Sequence, residues 1–191
     1  MKKEIILIGG GGHCKSCIDV IESEAKYIIA GIIDKKELVG QQILGYEVIG
    51  TDDDLKKLFD QYKYALISVG QIKSNHIRLA LFKKLREIGY ILPVITSPLA
   101  YVSKHSYIDE GTILMHHVLV NADVRIGKNC IINSKSLIEH DCIVEDNCHI
   151  STGAILNGGV HVSKNTFFGS NATSKENINI SSFTKAGSLK K

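Results

Sequence analysis

The chain has 191 residues, of which 44% are hydrophobic and 23% charged, and its formal net charge is +3. This length allows one large domain or two small ones, and the composition is ordinary for a water-soluble protein. No apolar stretch approaches the roughly 20 residues of a membrane span, and the cations form no basic block typical of nucleic-acid binding. We therefore expect neither a membrane span nor a nucleic-acid partner.

The N-terminus and the cysteines indicate the cellular compartment. The apolar run after Met1-Lys2-Lys3-Glu4 has only about four residues, which is too short for the core of a signal peptide. Five cysteines are an odd number, so free thiols are expected rather than a disulfide framework. The sequence therefore predicts a cytoplasmic protein.

The first part of the chain alternates strand-like and helix-like segments. Residues 4–9 form an apolar run that ends in glycine, as a buried parallel strand does, and residues 13–24 show helical spacing. The following segments predict strands over 27–34, 45–50 and 64–70, and helices over 52–62 and 74–88. This alternation predicts a small doubly wound, Rossmann-like α/β domain over residues 1–98.

From Val102 onward an aliphatic residue recurs every six positions, and a small or β-branched residue follows each one four positions later. The aliphatic series is Val102, Ile108, Leu114, Val120, Ile126, Ile132, Ile138, Val144, Ile150, Leu156, Val162 and then Phe168. Such hexapeptide repeats predict a left-handed parallel β-helix over residues 99–191. An antiparallel sandwich would instead show a period of two and longer strands.

Turns between these short strands require unusual backbone angles, which glycine and asparagine adopt most easily. The residues that fit this requirement are Gly111, Asn121, Gly127, Asn129, Asn147, Gly159, Asn165 and Gly169.

Cysteine and histidine residues are frequent in the repeat region, but their phase argues against a metal site. Cys130, Cys142 and Cys148 occupy the small inward position, where cysteine packs as a compact hydrophobe. A zinc site would have to join two of these cysteines with His140 and His149, which lie at other positions of the hexad. We therefore expect no bound metal.

His140 differs from the other histidines because Glu139 and Asp141 flank it. It lies two residues after the inward Ile138 and therefore on an outward face. A carboxylate beside an exposed imidazole fixes the tautomer and raises the basicity, which suits a general base near neutral pH. A solvated histidine between charges is the alternative interpretation.

A glycine-rich turn, residues 9–12, joins the first strand to the first helix, where backbone N–H groups attract phosphate. Cys14 stands where both the Walker and the dinucleotide-binding patterns require glycine, which disfavours a nicotinamide-dependent enzyme. Asp34 ends the second strand, at the usual place of a ribose-binding acid. The turn is therefore predicted to hold an anionic group, the alternative being a merely tight turn. Cys14 and Cys17 are expected to face the sheet rather than form a redox pair.

Several motifs together resemble one family. They are the Gly-x-x-Gly-His-x-Lys loop, Ile33-Asp34, the segment 44–50, and Ser136-Leu137-Ile138-Glu139-His140-Asp141-Cys142. The combination resembles the sialic acid O-acetyltransferase type of sugar acyltransferase, which includes N-acetyltransferases of nucleotide-linked 4-amino sugars. This resemblance covers nearly the whole chain.

The resemblance implies an acetyl-CoA-dependent acetyltransferase acting on the amino group of a nucleotide sugar. It implies His140 as the general base, with Asp141 raising its basicity, and His149 and Ser170 as contacts to acetyl-CoA. The implied nucleotide-sugar residues are Gly11, Gly12, His13, Asp34, Lys35 and Gly70. It also implies a homotrimer in which the cofactor lies between neighbouring β-helices.

Two alternatives remain open at this stage. One is O-acetylation of sialic acid or a related sugar, and the other is a non-catalytic sugar-nucleotide-binding subunit. Family members usually continue past the last coils into a Gly-Val-Pro-Ala-Lys-like segment that helps hold the cofactor, whereas this sequence ends in Gly187-Ser188-Leu189-Lys190-Lys191.

Overall fold

The computed structural model describes residues 2–181 and 183–191. The chain divides into two compact units, the first formed by Met1–Gly70 with His76–Pro93 and the second by Gln71–Asn75 with Val94–Lys191. The second unit thus resumes at Val94, a few residues before the predicted end of the first domain at residue 98. In agreement with this, β6 (Ile95–Thr96) pairs in parallel with a strand of the second unit. Among the described residues, no helix is long and apolar enough to cross a membrane.

The first unit is an α/β domain built on one five-stranded sheet. Its elements are β1 (Lys3–Ile8), α1 (Gly12–Glu24), β2 (Tyr27–Ile33), a 3₁₀ turn (Lys36–Leu38), β3 (Gln42–Ile43), β4 (Tyr46–Gly50), α2 (Leu55–Leu58), β5 (Tyr64–Ile67) and α3 (His76–Ile88). The strand order is β3-β4-β2-β1-β5. Only β3 is antiparallel to its neighbour, while β4, β2, β1 and β5 pair in parallel. This arrangement confirms the predicted Rossmann-like architecture.

The strand order reverses direction at β1. The chain runs from β1 to β2 and β4 on one side, and then returns to β5 on the other side of β1. In open α/β sheets such a reversal opens a crevice at the carboxyl ends of the strands, where ligands bind. The glycine turn follows β1 at this switch point.

Burial in the first unit follows the apolar runs of the sequence. Ile5, Ile6, Leu7 and Ile8 of β1 are each at most 1% exposed, as expected for a central parallel strand. Cys14, Cys17, Ile18, Val20 and Ile21 form the buried face of α1. The two cysteines therefore pack in the core.

The helix predicted over residues 52–62 is wrong in its length, because α2 covers only Leu55–Leu58. Asp54 Oδ2 accepts hydrogen bonds from Thr51 N at 2.8 Å and Thr51 Oγ at 2.9 Å, which closes a turn before the helix begins. After Phe59 the chain continues in further turns.

The strands described in the second unit are all two residues long, and turns join them. They are β6 (Ile95–Thr96), β7 (Tyr101–Val102), β8 (Tyr107–Ile108), β9 (Ile113–Leu114), β10 (Leu119–Val120), β11 (Arg125–Ile126), β12 (Ile131–Ile132), β13 (Leu137–Ile138), β14 (Ile143–Val144), β15 (His149–Ile150), β16 (Ile155–Leu156), β17 (His161–Val162), β18 (Phe167–Phe168), β19 (Thr173–Ser174), β20 (Asn179–Ile180) and β21 (Leu189–Lys190).

These strands form three parallel sheets, which are the faces of a left-handed β-helix. We name one face after His149, a residue of β15, and another after His140, which follows β13. The remaining face is called the third face. The His149 face is β6-β9-β12-β15-β18, the His140 face is β7-β10-β13-β16-β19-β21, and the third face is β8-β11-β14-β17-β20. The predicted β-helix is thereby confirmed.

One coil of the helix takes eighteen residues, as Asn129 and Asn147 show by their direct side-chain hydrogen bond of 2.9 Å. The aliphatic residue of each hexad points inward, and from Leu114 to Phe168 these side chains are at most 1% exposed. Identical positions of successive coils therefore stack upon one another, which gives a continuous core that a single coil could not bury.

Left-handed backbone angles recur at one position of the hexad, three residues after the inward aliphatic residue. The positions with positive φ in this series are Gly111, His117, Asp123, Asn129, Lys135, Asp141, Asn147, Gly153, Gly159, Asn165, Asn171 and Asn177. Glycine, asparagine and aspartate dominate because they tolerate this region best. The prediction is confirmed for five residues and wrong for Asn121, Gly127 and Gly169, which are not among the residues with positive φ.

The last coil is two residues shorter than the others. Thr173 pairs with Leu189, and Phe168 bridges to Thr184, so that the spacing falls to sixteen. Gly169 allows this shortening, because a Cβ on it would lie 2.5 Å from the carbonyl oxygen of Thr184. Its absent side chain thus serves a close approach between coils.

Candidate active site

His140 and Asp141 form an exposed pair at the turn that follows β13. Nδ1 of His140 lies 2.7 Å from Oδ2 of Asp141, and the two side chains are 62% and 61% exposed. Because Nδ1 is hydrogen-bonded to the carboxylate, Nε2 is the ring nitrogen that can accept a proton from a ligand. The outward position predicted for His140 is what the structure has.

The hydrogen bond to Asp141 raises the pKa of His140 above its ordinary value of 6.5, and the charges of Asp141 and Glu139 act in the same direction. Glu139 Oε2 also accepts a 2.7 Å hydrogen bond from Asn121 Nδ2 one coil earlier. The imidazole thus has two carboxylates beside it and a fixed tautomer. This is the environment of a general base stronger than an isolated histidine.

The imidazole of His140 also lies against the backbone of Gly158 in the next coil. A Cβ placed on Gly158 would be 2.8 Å from Cε1 and 2.9 Å from Nε2 of the ring. The backbone N–H of Gly159 donates a 2.9 Å hydrogen bond to the carbonyl oxygen of His140, which holds the two coils in register. Sequence reasoning missed Gly158, although it is a glycine at a hexad position that elsewhere carries side chains.

His149 is an outward residue of β15 and lies on a different face from His140. It is only 5% exposed. Its Nδ1 is hydrogen-bonded to the carbonyl oxygen of Gln71, and its Nε2 lies 3.1 Å from Asn133 Nδ2. The ring meets Phe167 edge-on, with the centroids 5.1 Å apart. Residues of its own unit therefore contact both ring nitrogens of His149 and the ring itself.

Ser170 lies near the shortened last coil. Its hydroxyl is 2.9 Å from that of Ser151, and its carbonyl oxygen accepts a hydrogen bond from Gly187 N. The side chain is half-buried. Its place in the coil does not bring it beside His140.

The predicted nucleotide-sugar residues lie at the switch point of the first unit. Gly11 caps α1, and Gly11 and Gly12 are exposed with open space where their side chains would be. Gly70 follows β5, and a Cβ on it would be 3.5 Å from Cβ of His13. Open backbone at a helix N-terminus, with no side chain capping it, is suited to an anionic ligand.

Asp34 follows β2 at the same edge of the sheet. Its Oδ1 accepts a 2.7 Å hydrogen bond from the backbone N–H of Lys35, and its Oδ2 accepts one from Gly10 N. The carboxylate therefore fixes the shape of the glycine turn as well as ending the second strand. Gly10 has no room for a side chain, because a Cβ would meet Asp34 Oδ2 at 2.8 Å.

None of the five cysteines is available as a nucleophile. All are buried and none forms a disulfide. Burial raises the pKa of the thiols of Cys14, Cys17 and Cys142, and a hydrogen bond with Cys130 raises that of Cys148. Within the part of the chain that the structure describes, no group of three or more His, Cys, Asp or Glu side chains could hold a metal ion.

Comparison with known proteins links this geometry to a family. Residues 4–85 match the PglD N-terminal domain. The structure is similar to a histidine-to-asparagine mutant of perosamine N-acetyltransferase from Caulobacter crescentus, in complex with CoA and GDP-perosamine. That similarity has 30% identity and a TM-score of 0.89, and it covers 97% of this chain and 87% of the other. This chain belongs to the hexapeptide-repeat sugar acetyltransferases.

A second relative supports the same assignment. The acetyltransferase domain of PglB from Neisseria gonorrhoeae FA1090, in complex with acetyl coenzyme A, is 26% identical with a TM-score of 0.90, and the match covers 98% of this chain and 90% of that one. WeeI from Acinetobacter baumannii AYE, at 18% identity and a TM-score of 0.61, shares the fold. The chain is therefore an acyltransferase, and the predicted family is confirmed.

Proposed function

We propose that this protein transfers the acetyl group of acetyl-CoA to the amino group of a nucleotide-linked 4-amino sugar. The observation that carries the proposal is the His140–Asp141 pair, whose 2.7 Å hydrogen bond leaves Nε2 of an exposed imidazole available to a ligand. The relatives supply the substrate class, since the one from Caulobacter crescentus is a perosamine N-acetyltransferase in complex with CoA and GDP-perosamine.

His140 would act as the general base of a direct acyl transfer. Nε2 takes a proton from the acceptor amine, which attacks the thioester carbonyl carbon, and the CoA thiolate leaves as the new amide bond forms. Asp141 stabilises the imidazolium that results, because its carboxylate already bonds Nδ1. A covalent acyl-enzyme would need a reactive thiol or hydroxyl, and the cysteines of this chain are buried.

The nucleotide sugar is proposed to bind at the switch point of the α/β domain. The open backbone of Gly11 and Gly12 would receive a phosphate group at the N-terminus of α1. Asp34 and Lys35 follow β2 at the same edge, and His13 and Gly70 lie beside each other there. These residues come from the ends of three neighbouring strands, which is where doubly wound domains bind nucleotides.

His149 and Ser170 remain the proposed contacts to the cofactor. Ser170 supports this proposal in that the residue is only half-buried and carries a hydroxyl. His149 offers little of its ring to a ligand, because it is 5% exposed and Gln71, Asn133 and Phe167 contact the ring. A contact would therefore require the Asn133 amide to move away from Nε2.

A homotrimer is proposed because the His140 face presents a mostly apolar column, in which Thr173 is the polar member. Its outward residues are Tyr101, Leu119, Leu137, Ile155, Thr173 and Leu189, and the two terminal members are each 62% exposed. The third face instead presents Tyr107, Arg125, Ile143, His161 and Asn179. Burial of the apolar column against a second copy would place His140 in the groove between neighbouring β-helices, where the cofactor is proposed to lie.

The experiment is a thiol-release assay with acetyl-CoA and a panel of GDP- and UDP-linked 4-amino sugars. The buried cysteines keep the background of a thiol reagent low. We expect CoA release with at least one amino sugar and a product that has gained one acetyl group as an amide. Release of CoA only with a hydroxyl acceptor such as sialic acid would show that the activity is O-acetylation and not N-acetylation. No release with any acceptor would contradict the assignment as an enzyme.

A further inference from the structure

The contact between His140 and Gly158 is unusual within the repeat. The equivalent hexad position is occupied by Lys104, Glu110, His116, Ala122, Lys128, Ser134, His140, Asp146, Thr152, Gly158, Lys164, Ser170 and Glu176. Gly158 is the glycine of this series, and its φ does not lie in the left-handed region. The backbone at this position therefore does not require glycine, and a different reason for its presence is needed.

Packing supplies that reason. A Cβ on Gly158 would meet the ring of His140 at three atoms, with distances of 2.8 Å to Cε1, 2.9 Å to Nε2 and 3.4 Å to Nδ1. The nearest atoms all belong to the imidazole, and no backbone atom is among them. The ring itself therefore fills the space that a side chain at position 158 would occupy.

The rest of the surroundings of His140 hold it weakly. Its side chain is 62% exposed, and the hydrogen bond to Asp141 constrains Nδ1 but not rotation of the ring about that contact. The charged groups near the ring are Glu139 and Asp141 of its own turn, while the neighbouring coil presents Gly158 and Gly159. A second, steric constraint is thus needed to fix the plane of the imidazole.

We propose that Gly158 is a positioning residue, whose missing side chain seats the His140 imidazole so that Nδ1 meets Asp141 while Nε2 faces the acceptor. This inference rests on the proposed function only in its consequence for the rate, because the contact itself is independent of any substrate. A methyl group at position 158 would push the ring away. Displacement of a catalytic group by about 1 Å can lower a rate about a hundredfold.

The test is Gly158→Ala, which adds one methyl group and keeps the backbone N–H. In histidine NMR titrations, assigned with His140→Gln, we expect the raised pKa of His140 to fall toward its ordinary value in the variant. We also expect kcat to drop about a hundredfold, with KM for the nucleotide sugar nearly unchanged. Lys164→Ala, at the same hexad position on another corner, is the matched control and should behave as wild type.

An unchanged His140 titration in Gly158→Ala would overturn the inference, whatever the value of kcat. The titration is decisive even where no acceptor is acetylated, so failure of the proposed function and failure of this inference can be told apart. If Gly158→Ala does not fold, the double variant with His140→Ala is measured instead. Recovery of folding in the double variant supports the ring contact, and a persistent defect contradicts it.

Discussion

Nδ1 of His140 lies 2.7 Å from Oδ2 of Asp141, and Asp141 presents this carboxylate from a left-handed backbone conformation with φ of +61°. Few residues adopt such a φ without strain, and asparagine and aspartate are among them. Asp141 therefore meets two requirements at once: it closes the turn and it polarises the imidazole.

This double requirement makes Asp141→Asn an informative variant. Asparagine keeps the turn but removes the charge, so the pKa of His140 should fall. A base with a lower pKa is deprotonated at lower pH, and the rising limb of kcat/KM should move to lower pH than in the wild type. General-base assistance is typically about 10²–10⁴-fold, and we expect the plateau of kcat to lose part of it. A pH profile with an unmoved limb would argue against Asp141 as the cause of the raised pKa.

Asp34 should matter for nucleotide-sugar binding and not for acetyl-CoA. Asp34→Asn leaves one acceptor oxygen for two backbone N–H groups, those of Gly10 and Lys35. Hydrogen bonds to charged groups contribute about 1.5–3 kcal/mol, so affinity for the nucleotide sugar should fall about tenfold or more. Titration calorimetry with each ligand separately measures this, with the exposed Asp60→Asn as control. Equal loss of affinity for both ligands would point to general unfolding instead.

The cysteines should be unreactive in the native protein. All five are buried, and the pKa values of Cys14, Cys17, Cys142 and Cys148 are raised, so little thiolate is available. Alkylation by iodoacetamide at neutral pH should be slow until denaturant is added, and should leave acetyl transfer intact. Rapid labelling of a native thiol with loss of activity would revive a covalent mechanism.

Gly169 should be sensitive to substitution for a steric reason. A Cβ there would lie 2.5 Å from the carbonyl oxygen of Thr184 and 2.6 Å from the N of Ala186, both backbone atoms. Overpacking of this kind typically costs about 1–3 kcal/mol, so Gly169→Ala should lower the free energy of unfolding and the melting temperature. Ser163→Ala, at the same position of the preceding hexad, should have little effect. Equal stability of the two variants would contradict the close approach of the shortened coil.

The six-residue repeat made much of this protein predictable. Stacking of identical positions is dictated by the repeat itself, so the inward aliphatic residues, the buried cysteines and the outward His140 all followed from counting. The six-residue period does not, however, predict where the length of a coil changes. The shortened last coil, visible in the pairing of Thr173 with Leu189, depends on a fit between Gly169 and Thr184 that no periodicity expresses.

The site was predicted in part for the same reason. His140 and Asp141 are neighbours in sequence, so their hydrogen bond could be expected. The contact of His140 with Gly158 joins residues a full coil apart and depends on the lack of a side chain at position 158. The hydrogen bonds that Asp34 accepts from backbone N–H groups depend on the exact path of the glycine turn. The burial of His149 depends on Gln71, a residue far away in the chain. Such contacts come from tertiary packing and not from local pattern.

The most direct test of the account is His140→Asn, a variant that keeps a polar side chain but no general base. With acetyl-CoA and the amino sugar that the wild type prefers, we predict a loss of about 10²–10⁴-fold in kcat, with binding of both ligands nearly unchanged by calorimetry. Retention of wild-type kcat would contradict the assignment of His140 as the base and, with it, the proposed mechanism.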